Sequence, residues 1–292
     1  MSHIRLGKYN QLEVVKEVDF GVYLNGDEDG EILLPKRYVP EGCVPGDMLN
    51  VFIYLDMDER LVATTLQPYA QVGEFACLEV AWVNQFGAFL NWGLMKDLFV
   101  PYREQKAKMV KGGKYIVYVY IDEESYRIVA SAKVEHFLSK ERPEYEAGEE
   151  VDVLVWQRTD LGYKVIVDNK FSGMIYHNEV FQPLSPGKCL QAYIKQVRED
   201  GKIDLALQKA GFGKVDDFAE TLLQYIEAQG GFTTMNDKTE AAVIYNTFGV
   251  SKKTFKKAVG DLYKKRLIML EEGGIRLSLI HISEPTRHLR IS

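Results

Sequence analysis

The 292-residue sequence predicts a mainly β protein: small closed barrels in tandem, followed by a C-terminal α+β module. Three observations predict this fold class: a strand-rich unit that occurs three times, a change of apolar period near residue 212, and a glycine turn close to the C-terminal end. Short strands separated by turn signals are typical of small barrels. A change of apolar period from two to about 3.6 marks the passage from strands to helices.

The repeat is clearest in the first two units. The stretch "VDFGVYLN" at Val18–Asn25 corresponds to "NQFGAFLN" at Asn84–Asn91, and each is followed by an apolar strand that ends in proline. Glycine-led strands, "GDMLNVFIYLD" and "GGKYIVYVYID", come next, and a short strand closes each unit. Each unit therefore contains about five strands, which predicts a small closed barrel.

A weaker third copy follows the same order, with "RTDLGYKVIVDNKFSGMIYHNEVF" before "PGKCLQAYIKQVREDGKIDLALQK". A polar, charged stretch that contains Pro143 separates it from the second unit. This stretch predicts a short helix and a linker that acts as a hinge.

Helical periodicity begins after the third unit, where Phe218, Leu222, Leu223 and Ile226 share one helical face. The stretches "KTEAAVIYNTFG" and "SKKTFKKAVGDLYKKR" predict two more helices, the second with Ser251 as its N-cap. The last stretch, "LIMLEEGGIRL", predicts two strands joined by a glycine turn. Three helices followed by a hairpin are the outline of a winged helix-turn-helix domain.

These features divide the chain into units with defined boundaries. We predict barrels over residues 1–68, 69–134 and 148–210, a linker over 135–147, a winged helix domain over 211–277 and a non-native tail over 278–292.

The repeat unit resembles the S-one RNA-binding domain, a five-stranded OB-fold barrel whose signature has an FGxF-like strand before a GLxHxS-like strand. Three such units followed by a winged helix resemble the conserved virulence factor B family of bacterial RNA-binding proteins. The resemblance covers the chain from about His3 to Arg276. It implies single-stranded RNA as the partner and a non-enzymatic role in post-transcriptional regulation.

The resemblance also implies a nucleic-acid-binding face on the FGxF-like strand and on the strand after it. A barrel face with three aromatic rings can stack successive bases, each stack contributing roughly 1–3 kcal/mol. The implied residues are Phe20 and Tyr23 in the first unit, with Leu33 on the next strand; Phe86, Phe89 and Phe99 in the second; and Tyr176, with His177 beside it, in the third. Arg37 and Arg103 follow the prolines of their strands, where they can hold phosphates. Tyr176 is aligned here with Leu33 and Phe99.

Phe86 and Phe89 lie three residues apart, so a regular strand would direct their rings to opposite faces. We predict that Gly87 forms a β-bulge that brings both rings to one face. The alternative is that the rings belong to the core, where most large aromatic residues lie. Aliphatic neighbours such as Ala88 and Leu90 can fill a narrow barrel without them.

The third unit departs from the pattern, because Leu161 and Lys164 occupy the places of the aromatic residues. Either Tyr163, Tyr176 and His177 compensate, or this unit is mainly structural.

Charge is distributed unevenly along a chain whose formal net charge is −6. Residues 1–70 carry twelve acidic and six basic side chains, which argues against the first barrel as the main electrostatic contact. The segment 251–266 is strongly basic, and a winged helix presents the start of this helix to nucleic acid. We therefore expect contacts from Lys252, Lys253, Lys256 and Lys257, with a solvated lysine face as the alternative.

Other classes of protein receive little support. Cys43, Cys77 and Cys189 are odd in number and far apart, which argues against a disulfide framework or a zinc site. No GxSxG, HExxH or Walker motif occurs, so we expect no catalytic site, metal or cofactor. Without a long apolar run or a leader sequence, we expect a cytoplasmic protein without a membrane span.

Two rival functions stay open at this point. The lysine-rich helix favours a DNA-binding transcription regulator that contacts duplex DNA through the winged helix and uses the barrels as accessories. Barrels of this kind also accompany RNA-degrading domains, which would make the chain a nuclease, although no carboxylate cluster supports this.

The string "LSLIHISEPTR" at Leu277–Arg287 imitates a strand of the repeat unit. No FGxF-like strand precedes it, and it looks like the translation of a sequencing adapter. We therefore exclude it as a fourth copy and expect it not to be native.

Overall fold

The structure, a computed structural model, describes residues 4–180, 184–207 and 215–278. Its first five strands form a closed barrel in the spatial order β1-β2-β3-β5-β4, where β3 and β5 pair in parallel and the other pairs are antiparallel. The strands are β1 Tyr9–Val18, β2 Gly21–Asn25, β3 Glu31–Pro35, β4 Met48–Leu55 and β5 Leu61–Thr64.

The second and third barrels repeat this strand order. Three closed five-stranded barrels therefore confirm the predicted fold class. The second barrel contains β6 Phe75–Val83, β7 Gly87–Asn91, β8 Leu98–Pro101, β9 Lys114–Ile121 and β10 Ile128–Ser131. The third contains β11 Glu150–Arg158, β12 Gly162–Val167, β13 Phe171–Tyr176, β14 Cys189–Val197 and β15 Ile203–Ala206.

Aliphatic side chains fill each barrel, at alternate positions of the strands. In β2, Val22 and Leu24 are buried, and in β7 the same places are taken by Ala88 and Leu90. Burying one such side chain stabilises the fold by roughly 1.5–3 kcal/mol for Val or Leu. The interior is therefore complete without the aromatic residues of the FGxF-like strand.

The β-bulge of the second barrel lies on β6 and not at Gly87 of β7, where the sequence predicts it. The pairing of β6 with β7 shifts between Val80 and Trp82, so Ala81 is the extra residue. Gly87 instead begins β7, where a Cβ atom would lie 2.2 Å from the carbonyl oxygen of Val100. The prediction of a bulge at Gly87 is wrong: the glycine is needed because the backbone of β8 passes too close for a side chain.

The other two barrels also have a bulge in their first strand and a closely approached glycine at the start of their second strand. Val15 and Trp156 are the extra residues of the bulges in β1 and β11. A Cβ atom at Gly21 or Gly162 would lie 2.2 or 2.1 Å from a carbonyl oxygen of the next strand. The "FG" pattern therefore marks a close approach of two strands.

The C-terminal module has three helices and a three-stranded sheet in the order β16-β18-β17. Ser251 is the N-cap of the third helix, as predicted, and its Oγ accepts from the Thr254 amide at 3.0 Å. The two-residue strand β16 was not predicted. The elements are α1 Val215–Ala228, β16 Phe232–Thr233, α2 Ala241–Phe248, α3 Lys252–Lys264, β17 Ile268–Glu271 and β18 Gly274–Leu277.

The start of the adapter-like string is part of this module. Leu277 lies in β18 and is buried, and the Ser278 amide donates to the Leu267 carbonyl at 2.9 Å. The remaining part of the predicted tail, residues 279–292, lies outside the described residues.

The first and second barrels share an apolar cluster. Phe52 and Tyr54 on β4 are buried against second-barrel residues rather than in the first barrel. The Phe52 ring makes edge contacts with Tyr9 at 5.6 Å and with Trp92 at 5.8 Å. These contacts place the β4–β5 hairpin of the first barrel beside the second barrel.

The second and third barrels are joined by packing and by one amide side chain. Asn169, in the β12–β13 turn, accepts from the Phe75 amide at 2.7 Å and donates to the Gly73 carbonyl at 2.9 Å. Val134 and Leu138, in the connecting segment, are buried between the barrels. This segment therefore packs against both barrels, which does not fit the hinge predicted from its polar composition.

Candidate nucleic-acid interface

Three aromatic side chains form a row across neighbouring strands of the second barrel. Trp82 on β6 pairs with Phe89 on β7, and Phe89 pairs with Phe99 on β8. The Trp82 and Phe89 rings stack with centroids 3.7 Å apart and an angle of 3°, while Phe89 and Phe99 are 4.9 Å apart at 35°. We call these three residues the aromatic row.

Sequence reasoning missed Trp82, which is 43% exposed. Its Nε1 donates to Asp97 Oδ2 at 2.8 Å, which holds the indole against Phe89. The other barrels have Lys16 and Gln157 at this place, so a motif carried between repeats cannot find it. The hairpin register, with one bulged residue on β6, is the signal that would have placed a tryptophan opposite Phe89.

Phe86 lies in the turn before β7 and is 64% exposed. Its amide donates to Asn84 Oδ1 at 2.8 Å, which fixes the turn. Phe86 and the aromatic row line one cavity of about 800 Å³, which we call the aromatic groove. The surplus aromatic residues of this unit therefore lie on a surface and not in the core.

One wall of the aromatic groove comes from the β4–β5 hairpin of the first barrel, through Tyr54, Met57 and Glu59. Arg127 of the second barrel forms an ion pair with Glu59. Lys96 Nζ donates to the Asp56 carbonyl at 2.6 Å, and burial lowers the pKa of this ammonium group. The aromatic groove is therefore built by two barrels.

Arg103, expected to hold a phosphate, lines the groove and is paired with carboxylates. Its guanidinium lies 3.0 Å from Asp122 and 3.6 Å from Glu124, and its side chain is 57% exposed. Hydrogen bonding from Ser125, together with Arg103, holds the pKa of the Asp122 carboxyl below its ordinary value. A phosphate that binds Arg103 must compete with these acids.

The first barrel carries a smaller version of this face. Phe20 is 57% exposed and lies 6.2 Å from the Tyr23 ring in an edge contact. The Lys16 ammonium lies 4.9 Å from the centre of the Tyr23 ring, where the second barrel has Trp82 against Phe89. Leu33 pairs with Tyr23 and Arg37 is exposed, its guanidinium 4.7 Å from the Tyr38 ring.

The third barrel corrects two of the expectations. Tyr163 is 6% exposed and packs in the barrel core, at the place of Val22 and Ala88, so it is not available to stack a base. Tyr176 pairs with Gly162, as Pro35 and Pro101 pair with the glycines of the other units. Tyr176 is therefore not the counterpart of Phe99.

Met174 is the counterpart of Phe99 in the third barrel, since it pairs with Lys164 on β12. The sequence analysis aligned Tyr176 with Phe99 because both are aromatic, and this alignment is wrong by two residues. His177 begins a short 3-10 turn after β13, and its Nε2 lies 3.0 Å from the Thr159 carbonyl oxygen.

A polar network occupies the face of the third barrel. Asp204 is buried and accepts from Gln196 Nε2 at 2.7 Å and Arg198 Nε at 3.0 Å. Arg198 also donates to the Tyr176 hydroxyl. Tyr176 is thus held by the network and is only half-buried.

The lysines of the C-terminal module lie on one helix. Lys253, Lys256 and Lys257 are exposed at the start of α3, while Lys252 is half-buried. None of the four forms an ion pair within the described part of the chain. This end of α3 therefore presents uncompensated positive charge.

The described residues contain no cluster of three His, Cys, Asp or Glu side chains arranged to hold a metal ion. No helix among them has the length and apolar character needed to cross a membrane.

Known protein families match this architecture. The S1 domain matches residues 6–66 and 72–133, which cover the first and second barrels, and the CvfB-like winged helix domain matches residues 220–277. These matches confirm the resemblance to the conserved virulence factor B family. S1 and winged helix domains are nucleic acid binding domains, so the chain is a nucleic-acid-binding protein.

Similar proteins align with this chain over most of its length. Conserved virulence factor B of Staphylococcus aureus is 22% identical over 240 residues, 80% of each chain. YitL of Bacillus subtilis, described as uncharacterized, is 29% identical over 92% of this chain and 93% of its own. A solved multidomain protein with nucleic acid binding domains from Streptococcus pneumoniae is 29% identical and covers 93% of this chain and 98% of its own, with a TM-score of 0.43.

Proposed function

We propose that the chain binds single-stranded RNA, with the aromatic groove as the main base-stacking site and the lysines of α3 as phosphate contacts. It acts without catalysis, as a cytoplasmic post-transcriptional regulator. The observation that carries this proposal is the aromatic row, which lies together with exposed Phe86 in one groove of about 800 Å³. Aromatic platforms of this kind stack bases of any sequence.

The geometry favours a single strand over a duplex. A base can stack on protein only when its own faces are free, and in a duplex the neighbouring bases cover them. Phe89 lies between Trp82 and Phe99, so an incoming base stacks on an outer ring of the row or on Phe86, or it displaces Trp82. RNA as the strand type is supported by the two S1 domains.

The test replaces Phe86 and Phe89 by Ala and measures binding of a fluorescent single-stranded RNA. Affinity should fall by roughly 1–3 kcal/mol per lost stack, while the melting temperature changes little. Tyr69→Ala is the matched control, because Tyr69 is 66% exposed and lies outside the groove. A large fall in melting temperature with unchanged affinity would show that these rings serve the fold alone.

The lysines of α3 give the proposal an electrostatic signature. Phosphate contacts release counterions, so log K for a single strand falls with log salt by about 0.7 per neutralised phosphate. Replacing Lys253, Lys256 and Lys257 by Glu should flatten this salt slope and leave residual, aromatic-dependent binding. An unchanged slope would show that the lysines are only a solvated face.

Duplex DNA is a second candidate ligand, favoured by the exposed lysines at the start of α3. A winged helix presents this helix to a groove of the duplex. Competition between single-stranded RNA and duplex DNA of equal length separates the two functions. Preferential binding of the duplex, lost in the lysine variant but kept in the Phe86 and Phe89 variant, would replace our proposal.

A further inference from the structure

The junction between the second and third barrels contains a tryptophan at an unusual position. Trp156 is the extra residue of the bulge in β11, and its half-buried ring packs against the apolar cluster that joins the two barrels. Its Nε1 is buried and has no hydrogen-bond partner within the described structure. The bulge thus directs this side chain out of its own barrel and towards the neighbouring one.

Two ammonium groups approach this ring from different barrels. Lys106 Nζ, from the segment after β8, lies 5.0 Å from the centre of the Trp156 ring. Lys164 Nζ, from β12 of the third barrel, lies 5.1 Å from the same point. The two cations are therefore at most about 10 Å apart, and both are held near the ring by cation–π attraction.

Carboxylates compensate only part of this charge. Glu135 forms an ion pair with Lys106, and both side chains are nearly half exposed. Burial alone would raise the pKa of the Glu135 carboxyl. The hydrogen bond from Lys106 and the charge of Lys164 outweigh this effect, so the pKa lies below its ordinary value. Within the described residues Lys164 forms no ion pair of its own. The two lysines and one glutamate therefore leave one excess positive charge among these three side chains.

The junction is close to the aromatic groove along the chain. Lys106 follows Arg103, which lines the groove, by three residues along the chain. Lys164 occupies the third-barrel position that Phe89 occupies in the aromatic row. The strand position that carries a stacked ring in the second barrel thus carries an ammonium group in the third.

We propose that Lys106, Trp156 and Lys164 form a phosphate-binding site, where an RNA strand that leaves the aromatic groove crosses to the third barrel. The proposal rests on the proposed function. Two neighbouring backbone phosphates accept from the two ammonium groups and relieve the repulsion between them, and charge-assisted hydrogen bonds to phosphate are stronger than neutral ones. The two bonds of Asn169 hold the barrels in register, so the site exists before RNA binds.

The test compares two RNA lengths in the double variant Lys106→Gln/Lys164→Gln. An oligonucleotide of about 5 nucleotides fills one OB-fold site, whereas one of about 14 reaches the junction. The long RNA should bind roughly tenfold more weakly at low salt, with a salt slope lower by about 1.4 for two phosphate contacts, and the short RNA should be unaffected. Lys170→Gln is the matched control, since Lys170 lies 5.0 Å from the Phe171 ring and pairs with Glu141.

A second variant tests the site in the opposite direction. Glu135→Gln removes the carboxylate that competes for Lys106, and it should tighten binding of the long RNA several-fold while steepening its salt slope. This gain cannot come from a loss of folding. It therefore decides the question even if the double lysine variant is unstable.

Each result has a distinct meaning. If the long RNA binds both variants as it binds the unmodified chain, the lysines only brace the junction and the proposed site is wrong, although RNA binding to the groove stands. Equal losses for short and long RNA would also overturn it, since the lysines would then act through the groove. If the unmodified chain binds neither RNA, the proposed function itself fails, and this site fails with it.

Discussion

The second and third barrels have the same strand order but opposite chemistry on the same face. The cross-strand row that reads Trp82, Phe89 and Phe99 in the second barrel reads Gln157, Lys164 and Met174 in the third. The next strand continues the contrast, with Val129 beside Phe99 and the buried carboxylate of Asp204 beside Met174. One barrel presents rings and the other presents polar and charged groups.

This difference shows which positions specify the fold and which are free to vary. Both barrels need a glycine at the start of the second strand, because the next strand passes close to it, and apolar residues at the inward positions. The outward row is not constrained in this way, so the same scaffold supports a stacking surface in one copy and a hydrogen-bonded network in another. The fold predicts where a binding face lies, and the side chains decide what it binds.

The largest expected effect tests the part that the two barrels share. Gly87→Ala and Gly162→Ala each place a Cβ atom about 2 Å from a carbonyl oxygen of the next strand. Each should lower the free energy of unfolding by about 3 kcal/mol, the upper range for overpacking. Chemical denaturation measures this. A large loss in one barrel and none in the other would mean that the two scaffolds are not equivalent.

The second prediction tests the part that differs. Trp82→Ala should weaken single-stranded RNA binding by roughly 1–3 kcal/mol because the outer ring of the aromatic row is lost. Gln157→Ala, at the same place in the third barrel, should leave affinity unchanged. Fluorescence anisotropy with one RNA measures both variants. Similar losses would show that the outward row of the third barrel also contributes to stacking.

The smallest effect concerns the polar network of the third barrel. Arg198→Met leaves the carboxylate of Asp204, whose side chain is 6% exposed, without its cation, and it should cost about 1–2 kcal/mol of stability. Adding Asp204→Val restores most of this loss, because the residue then matches Val129 of the second barrel. Thermal unfolding of the single and double variants measures the interaction free energy between Arg198 and Asp204. Additive losses would indicate that the pair is not an energetic unit.

Sequence reasoning predicted the three barrels, the winged helix and the N-cap at Ser251, because periodicity and turn residues are local signals. It placed the bulge at Gly87 on β7, whereas the extra residue lies on the paired strand β6. A bulge depends on the register of two paired strands, which a single residue in one strand does not reveal. It missed Trp82 for the same reason. Tyr163 could have been placed correctly, because it aligns with the inward residues Val22 and Ala88.

The winged helix was predictable in outline because each helix has its own apolar face. Contacts between barrels were not predictable, since Asn169 and the connecting segment act over distances of up to 96 residues in sequence. Polar composition suggested a hinge after the second barrel, yet two apolar residues, Val134 and Leu138, bind this segment between the barrels. Two buried apolar side chains therefore determine how this segment packs, although most of its residues are polar.

The bulge in the first strand of each barrel has a consequence for how such a chain changes over evolution. The extra residue belongs neither to the alternating inward set nor to the outward row, so the fold does not dictate its identity. Val15, Ala81 and Trp156 occupy this position in the three copies. Each barrel thus has one side chain that can change to suit a neighbouring domain, and in the third barrel this side chain is Trp156, which packs at the junction with the second.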